Sequence, residues 1–323
     1  MTSCVKKVHV SLEEKTILVA GAAGFVPSHL SQHYLDLGAK VIGLDNFITG
    51  SPQNIEKLSK NSNFKFLECN IYEGLPTLTE NIDYVFSLAS PASPIDFSEI
   101  PLEIMRVNSE GTLNLLNLSK EKGARFLEAS TSEVYGDPQE HPQKETYLGH
   151  VNPIGPRSCY DESKRFAEAL TMSFYRKFNL ETRIVRIFNT YGPGMRPNDG
   201  RVIPNFINQA LKGEDLTVYG DGSQTRSFCF VTDLVEAIHL VMFGDDPTPF
   251  NCGNPNEVTI LECAEQIIKV LNSSSKISFR ELPEDDPKKR KPDLTKLKKM
   301  SGYAPKVSFE DGINKTAEFF KKI

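Results

Sequence analysis

The sequence predicts an α/β fold, in which a doubly wound, Rossmann-type parallel sheet is joined to a second, smaller α/β substrate domain. Three observations predict this fold. Short β-rich runs alternate with helical patterns up to residue 190, these runs are continuously apolar, and glycine and proline become frequent after Asn189. Continuously apolar strands separated by helices are typical of a parallel sheet that helices cover on both faces.

The first part of the chain begins with a strand at 16–20 and a helix over 25–37, which Gly38 ends. Further strands are expected at 40–45, 64–71, 84–90, 124–130 and 182–188. The helical period predicts longer helices over 102–122 and 158–178, between the later strands.

The elements after residue 190 are shorter and less regular. In chain order we expect a helix over 202–212, strands at 216–219 and 227–231, a helix over 233–243 and a charged, proline-bearing loop over 283–293. Thr232 is expected to cap the helix that follows it. Thr259 and Glu262 form a capping-box pattern that begins another helix.

Composition and charge argue against several classes of protein. The chain has 37 Lys and Arg against 42 Asp and Glu, and this net charge of −5 argues against a nucleic-acid partner. No apolar run is long enough to span a membrane, and residues 1–14 lack the core of a signal peptide. The six cysteines form no Cys-x-x-Cys pair, so we expect neither a metal site nor disulfides, and a cytoplasmic setting.

A dinucleotide site is indicated between the first strand and the first helix. Gly21 permits a tight turn there, and Gly24 lets the backbone approach a pyrophosphate at the helix N-terminus. Asp45, at the end of the second strand, can accept hydrogen bonds from both ribose hydroxyls, which favours NAD over NADP. Pro27 replaces a third glycine, but proline costs little in a first helical turn, so we expect cofactor binding to survive.

Two polar segments carry the candidate chemistry. Tyr160 and Lys164 are four residues apart on one helix face, where an ammonium would lower the pKa of the phenol and let it act as a base. Alone, this pair also arises by chance in amphipathic helices. Thr131, Ser132 and Glu133 follow a strand whose end faces the same cleft, and they add two hydroxyl donors and an acid/base group.

These segments belong to a wider set of motifs. The set comprises LASPASP (88–94), STSEVYGDP (130–138), HVNPIGPR (150–157), CYDE (159–162), RIFNTYGP (186–193), NDGRV (198–202), YGDGSQTR (219–226) and DPKKRKPD (286–293). On these motifs the chain, from about residue 15 to its end, resembles the extended short-chain dehydrogenases/reductases of the nucleotide-sugar epimerase/dehydratase group. Within that group it is most similar to the UDP-glucuronate decarboxylases, which share the Thr-Ser-Glu triplet.

The resemblance implies NAD as cofactor and a UDP-sugar as substrate. The cofactor-binding residues that it implies are Gly21, Gly24, Phe25, Val26, Asp45, Asn46, Thr49, Gly50, Asn70, Ile71, Leu88, Ser90, Tyr160 and Lys164. The substrate-binding residues that it implies are Asn189, Arg201, Tyr219, Arg226 and Arg290. Without the resemblance, the basic run around Arg290 would be read as a solvated surface. The expected domains are 1–190 with about 226–250 for NAD, and about 191–225 with 251–323 for the nucleotide sugar.

The implied reaction converts UDP-glucuronate to UDP-xylose by C4 oxidation, loss of CO2 and C4 re-reduction. The resemblance gives catalytic roles to Tyr160, Lys164, Thr131, Ser132, Glu133 and Arg290. Two departures concern the cofactor: Ser87 stands where the family usually has histidine, and Asn70 stands where an aspartate commonly meets adenine.

Alternatives remain open within and outside this class. A UDP-uronate 4-epimerase or a 4-keto-pentose synthase would use the same fold, and a non-catalytic NAD or nucleotide-sugar sensor would keep it without turnover. The resemblance also implies a homodimer, formed through the helices over about 102–122 and 158–178.

Overall fold

The computed structural model describes residues 11–281 and 289–323. Cys4, most of the predicted N-terminal segment 1–14, residues 283–288 of the charged loop and the first three residues of the 286–293 motif therefore lie outside the described residues. The strands are β1 (Thr16–Ala20), β2 (Lys40–Asp45), β3 (Phe64–Glu68), β4 (Tyr84–Ser87), β5 (Arg125–Thr131), β6 (Thr182–Ile187), β7 (Thr190–Tyr191), β8 (Leu216–Tyr219), β9 (Thr225–Ser227), β10 (Cys229–Phe230), β11 (Phe250–Cys252), β12 (Glu257–Thr259), β13 (Ile277–Arg280) and β14 (Lys289–Arg290).

The helices surround these strands and mostly follow the predicted periods. They are α1 (Phe25–Asp36), α2 (Pro52–Leu58), α3 (Pro94–Glu99), α4 (Pro101–Arg106), α5 (Thr112–Lys122), α6 (Ser158–Phe178), α7 (Val202–Lys212), α8 (Val231–Met242), α9 (Ile260–Val270), α10 (Thr295–Ser301) and α11 (Phe309–Phe320). None of the helices in the described ranges is long and apolar enough to cross a membrane.

The large sheet confirms the doubly wound, parallel fold. Within the described residues it has seven parallel strands in the order β11-β6-β5-β4-β1-β2-β3. Alternate residues of β1 enter opposite cores, since Ile17 and Val19 pack with α1 and α8 while Leu18 and Ala20 pack with α5 and α6. Helices therefore cover both faces, as the continuously apolar strands predicted.

The second unit is built from short sheets and three helices. Strand β9 pairs with β12 and β14, β8 pairs with β13, and β7 pairs with β10. Helices α7, α9 and α11 pack around one apolar core that contains Ile207, Ile267 and Ile313. The proposed domain limits remain a prediction; Leu297 and Tyr303 of the range 251–323 pack in the core of the large sheet.

Several element boundaries differ from the prediction. Strands β3 and β4 end three residues early, because the chain leaves the ladder to form loops at the carboxyl edge of the sheet. The helix predicted over 102–122 is α4 and α5 joined by a π-helical turn, Val107–Gly111. The strand predicted at 227–231 is divided between β9 and β10.

The helix caps show one correct and one wrong prediction. Thr259 and Glu262 form the capping box at the start of α9, as predicted. Thr232 does not cap α8, because that helix already begins at Val231 and Phe230 occupies the N-cap position.

Candidate active site

A cavity of about 520 Å³ lies between the carboxyl edge of the large sheet and the second unit. Every predicted site residue lines it. Those expected at the cofactor are Gly21, Gly24, Phe25, Val26, Asp45, Asn46, Thr49, Gly50, Asn70, Ile71, Leu88 and Ser90; those expected in catalysis or substrate binding are Thr131, Ser132, Glu133, Tyr160, Lys164, Asn189, Arg201, Tyr219, Arg226 and Arg290. The fold thus gathers distant motifs into one space.

The first turn is shaped for a close approach of backbone to ligand. Gly21 has φ +84°, and a Cβ there would lie 2.8 Å from Cα of Ala89, so only glycine fits. The N-cap of α1 is Gly24, which provides no side-chain cap among the described residues. The first amide groups of α1 therefore border the cavity without a capping side chain, as an anion site requires.

Pro27 is accommodated without disturbing this turn. It is buried within α1, whose hydrogen bonding begins normally with the Ser28 amide donating to the Gly24 carbonyl at 3.1 Å. Close packing is provided instead by Gly43 on β2, where a Cβ would lie 2.7 Å from Cβ of Ala22.

Asp45 is held in place by the backbone around it. Its Oδ2 accepts a hydrogen bond from the Ala23 amide at 3.0 Å, and its Oδ1 accepts one from the Phe47 amide at 2.8 Å. Burial raises the pKa of Asp45 above its usual value, while these amides oppose that shift. Gly50 must be glycine, since its Cβ would lie 2.9 Å from Oδ1. Each carboxylate oxygen keeps further acceptor capacity for a hydroxyl group.

Tyr160 and Lys164 lie side by side on α6, but the electrostatics differ from the prediction. Burial raises the pKa of the Tyr160 phenol, and a hydrogen bond with Thr131 opposes this only in part. The Lys164 ammonium donates to the Ala129 carbonyl at 2.7 Å and to Glu128 Oε1 at 3.2 Å. The expected lowering of the phenol pKa by Lys164 is therefore not found, because desolvation dominates and the ammonium bonds elsewhere.

Glu133 is clamped between arginines. Its Oε2 accepts hydrogen bonds from Arg157 Nη2 at 2.6 Å and from Arg290 Nη2 at 3.1 Å. Arg290 Nη1 also donates to the Ser132 carbonyl at 2.6 Å. Burial alone would raise the pKa of Glu133, but Arg290 and Arg157 outweigh it and lower the pKa to about 2. The carboxylate is therefore an anion at neutral pH.

The pKa of a second carboxyl group, that of Asp161, is shifted by Glu133 and its arginines. Asp161, in the first turn of α6, is buried, and its Oδ1 has no hydrogen-bond partner among the described residues. Burial and the charge of Glu133 raise the pKa of Asp161 to about 7, against the opposing effects of Arg157 and Arg290. Sequence patterns did not identify Asp161, because its shift depends on partners that only the fold brings near.

Arg201 and Arg226 also line the cavity and carry guanidinium groups suited to phosphates. The Arg201 guanidinium is held in a two-point pair by Asp199, with Nη2 at 2.9 Å from Oδ2. Arg226 Nη1 donates to the Thr225 carbonyl at 2.9 Å, while Tyr219 lies half exposed at the rim. Planar guanidinium groups match the oxygens of a diphosphate.

Sequence reasoning missed other residues at the site. Arg157 lies in a recognised motif but had received no role, and Phe97 stacks on Tyr160 with ring centroids 5.0 Å apart. Glu128 was read only as part of an apolar strand. Phe97 and Glu128 carry no motif signal, because only the fold brings them to the reactive pair.

Comparisons with known proteins identify the relatives of the chain. The model of the NAD dependent epimerase/dehydratase family matches residues 17–253. The chain is 50% identical over 318 residues to UDP-glucuronic acid decarboxylase 4 of Arabidopsis thaliana, covering 98% of this chain and 71% of that protein. It is 48% identical over 310 residues to UDP-glucuronic acid decarboxylase 1 of Xenopus tropicalis, covering 96% and 73%.

Solved structures give the same relationship at the level of the fold. UDP-glucose 4-epimerase of Thermotoga maritima, solved with UDP-glucose, superposes with a TM-score of 0.86 at 30% identity, covering 95% of this chain and 99% of that one. UDP-glucuronic acid 4-epimerase of Bacillus cereus, solved with UDP-glucuronic acid and NAD, gives 0.83 at 28% identity with the same coverage. The chain belongs to the NAD-dependent epimerase/dehydratase family.

Proposed function

We propose that this chain is an enzyme that decarboxylates UDP-glucuronate to UDP-xylose, using NAD without net redox change. Relatives about 50% identical over nearly the whole chain carry the name of this activity. One observation on the chain itself carries the proposal. The Thr131-Ser132-Glu133 segment and Arg290 meet in the same cavity as Tyr160 and Lys164. Tyr160 and Lys164 suit oxidation at C4, and Arg290 suits a sugar that carries a carboxylate.

The half of the cavity next to β1 and β2 fits NAD. The uncapped N-terminus of α1 would hold the pyrophosphate, and the fixed Asp45 carboxylate would accept hydrogen bonds from ribose hydroxyls. Lys164 and Tyr160 would border the nicotinamide end. When bound, NAD would supply the hydride acceptor and donor at C4 of the sugar.

Tyr160 is positioned to handle the proton of the C4 hydroxyl. Because burial raises the pKa of the phenol, the neutral phenol is the resting form, and its hydrogen bond with Thr131 orients it. The approach of a cationic group is needed to favour the phenolate. Lys164 lies one helical turn away and can provide it once a ligand takes part in its hydrogen bonding.

Loss of CO2 needs a place for the electrons that leave the carboxylate. In the 4-keto sugar they move toward the C4 oxygen, and the hydroxyl groups of Thr131 and Ser132 would stabilise the resulting enolate. Arg290 and Arg157 would bind and orient the sugar carboxylate, while Glu133 keeps these guanidinium groups in position. A water near Glu133 would then return a proton to C5.

The homodimer is part of the same proposal. Three helices expose large apolar side chains on the surface. These are Leu102 (69% exposed) and Met105 (45%) on α4, Leu113 (40%) on α5, and Phe166 (51%) and Phe178 (40%) on α6. A second copy that packs α4, α5 and α6 against their equivalents would bury them.

Isotope tracing tests the reaction. UDP-glucuronate deuterated at C4, incubated with purified protein and NAD+, should yield UDP-xylose that keeps deuterium at C4. Unlabelled substrate in D2O should yield UDP-xylose with one deuterium at C5. Loss of the C4 label, or a product that retains the carboxylate, would contradict the proposal.

A further inference from the structure

A fully buried carboxylate lies beneath the reactive lysine. Glu128 on β5 is 0% exposed, and its Oε1 is 3.2 Å from Lys164 Nζ, whose side chain is 3% exposed. The ammonium also donates to the Ala129 carbonyl at 2.7 Å, so the backbone and the carboxylate of one strand hold it together.

Two neighbours of this pair act on the charge of Glu128 in opposite directions. Ser87 on β4 is the register partner of Glu128 and favours its charged form, while Glu168 on α6 repels it. Glu168 is itself engaged by Arg186, with Nη2 at 2.7 Å from Oε2. Glu128 Oε2 is buried without a hydrogen-bond partner in the described part of the chain.

A contribution to the stability of the fold does not explain the buried carboxylate of Glu128. Burial raises the pKa of Glu128, which means that the folded protein resists its charge. A buried ion pair rarely stabilises a fold more than apolar residues of similar volume would, and the neighbours of Glu128 on β5, Leu127 and Ala129, are apolar. The presence of the Glu128 carboxylate is therefore better explained by an effect on its partner, Lys164.

We propose that Glu128 is a positioning residue, which fixes the Lys164 ammonium at the floor of the active site. Glu128 and the Ala129 carbonyl take two of the three N–H groups of the ammonium. The third is left for hydroxyl oxygens of a ligand in the cavity that Lys164 and Tyr160 both line. This inference rests on the proposed roles of Lys164 and Tyr160.

A double-mutant cycle that combines Glu128→Gln with Lys164→Met tests this proposal. The quantities measured are kcat, KM for UDP-glucuronate, and the NAD+ affinity from calorimetric titration of nucleotide-free protein. Glu128→Gln should lower kcat by about tenfold or more, because a misplaced reactive group is costly. It should also weaken NAD+ binding and leave KM within about twofold. Glu128→Asp should restore part of kcat. In the Lys164→Met background, Glu128→Gln should change NAD+ affinity and residual kcat by less than about twofold, since the partner is already lost.

Controls separate this role from a loss of folding. Glu168→Gln breaks the partly buried ion pair with Arg186 and should lower the thermal midpoint while kcat stays within about twofold. The double variant Glu128→Leu, Lys164→Met removes both charges and should fold. A Glu128→Gln protein that loses only thermal stability, or an effect equally large in the Lys164→Met background, would overturn the proposal. If the unmodified protein makes no UDP-xylose, the proposed function fails, while the NAD+ titrations still decide the role of Glu128.

Discussion

The guanidinium of Arg290 lies 3.1 Å from the carboxylate of Glu133, although 157 positions separate them in the chain. Arg290 is on β14, which pairs with β9 of the second unit, whereas Glu133 follows β5 of the large sheet. This ion pair therefore joins the two parts of the molecule at the reactive end of the cavity. The low pKa of Glu133 therefore depends on an arginine of the second unit.

Glu133→Gln should separate the chemical steps. Removing the anion leaves Arg157 and Arg290 facing each other and takes away the group that we propose acts near C5. We expect decarboxylation or proton return to slow by about 10²-fold or more, and C4 oxidation to slow less. The absorbance of bound NADH in a single turnover, followed beside CO2 release, measures the two steps. Unchanged activity would remove Glu133 from the mechanism. Lys289→Met, at the exposed neighbour of Arg290 on β14, serves as the control.

Tyr160→Phe should abolish turnover while binding persists. The substitution removes the hydroxyl that we propose exchanges a proton with the C4 oxygen but keeps the ring that stacks on Phe97. A fall in kcat of about 10²-fold or more is expected, because a positioned acid/base group contributes at least that much. UDP-glucuronate affinity, measured by calorimetry, should stay close to that of the unmodified protein. Turnover at the original rate would show that another residue moves this proton.

Asp161 should make the stability of the protein depend on pH. Its pKa rises to about 7 in the folded state from about 4 in an unfolded chain, so the folded protein binds the extra proton between these values. This contribution is complete below about pH 4 and is lost as the pH rises through about 7. Asp161→Asn should therefore raise the thermal midpoint more at pH 8 than at pH 5. Each kcal/mol of unfolding free energy that is regained corresponds to roughly 2–4 °C.

Glu133 gives the opposite sign and so a check on this interpretation. Its pKa of about 2 lies below the unfolded value, so its stabilising contribution is present above about pH 4.5 and is lost as the pH falls toward 2. Glu133→Gln should cost more thermal stability at pH 7 than at pH 3. An Asp161→Asn effect that is the same at pH 5 and pH 8 would contradict the assigned pKa.

Phe166→Glu should yield a monomer if the exposed apolar surface of α4, α5 and α6 is the dimer interface. Phe166 is 51% exposed, and a carboxylate there would be buried without a partner in the dimer. Phe279→Glu is a matched control, because Phe279 is 56% exposed on β13, away from these helices. Light scattering should show a smaller particle only for the first variant. A monomeric unmodified protein, or a Phe166→Glu dimer, would exclude this interface.

The large sheet and the cofactor turn could be predicted because their signals are local. Continuously apolar runs specify buried parallel strands, and Gly21, Gly24 and Asp45 stand at fixed positions around the first turn. The capping box at Thr259 was equally local, since its two hydrogen bonds lie within one helical turn. These elements appear where the sequence places them.

The electrostatics of the site could not be predicted in the same way. Tyr160 and Lys164 share a helix face, but burial, which only the fold determines, raises the pKa of the phenol, and Lys164 bonds to Glu128 on another element. Arg157 and Asp161 receive their importance from Glu133, which the fold brings to them. The π-helical turn at Val107–Gly111 likewise leaves the helical period of the sequence almost unchanged.

The most direct measurement is a proton NMR time course of purified protein with UDP-glucuronate, with and without added NAD+. UDP-xylose should appear together with CO2. A rate that depends on added NAD+ would indicate that the protein holds the cofactor loosely. UDP-galacturonate as the product would identify a 4-epimerase, and a released UDP-4-keto-pentose would identify a synthase that gives up its intermediate. Either of these products would contradict decarboxylation of UDP-glucuronate to UDP-xylose. No conversion under both conditions, as expected of a sensor, would contradict it as well.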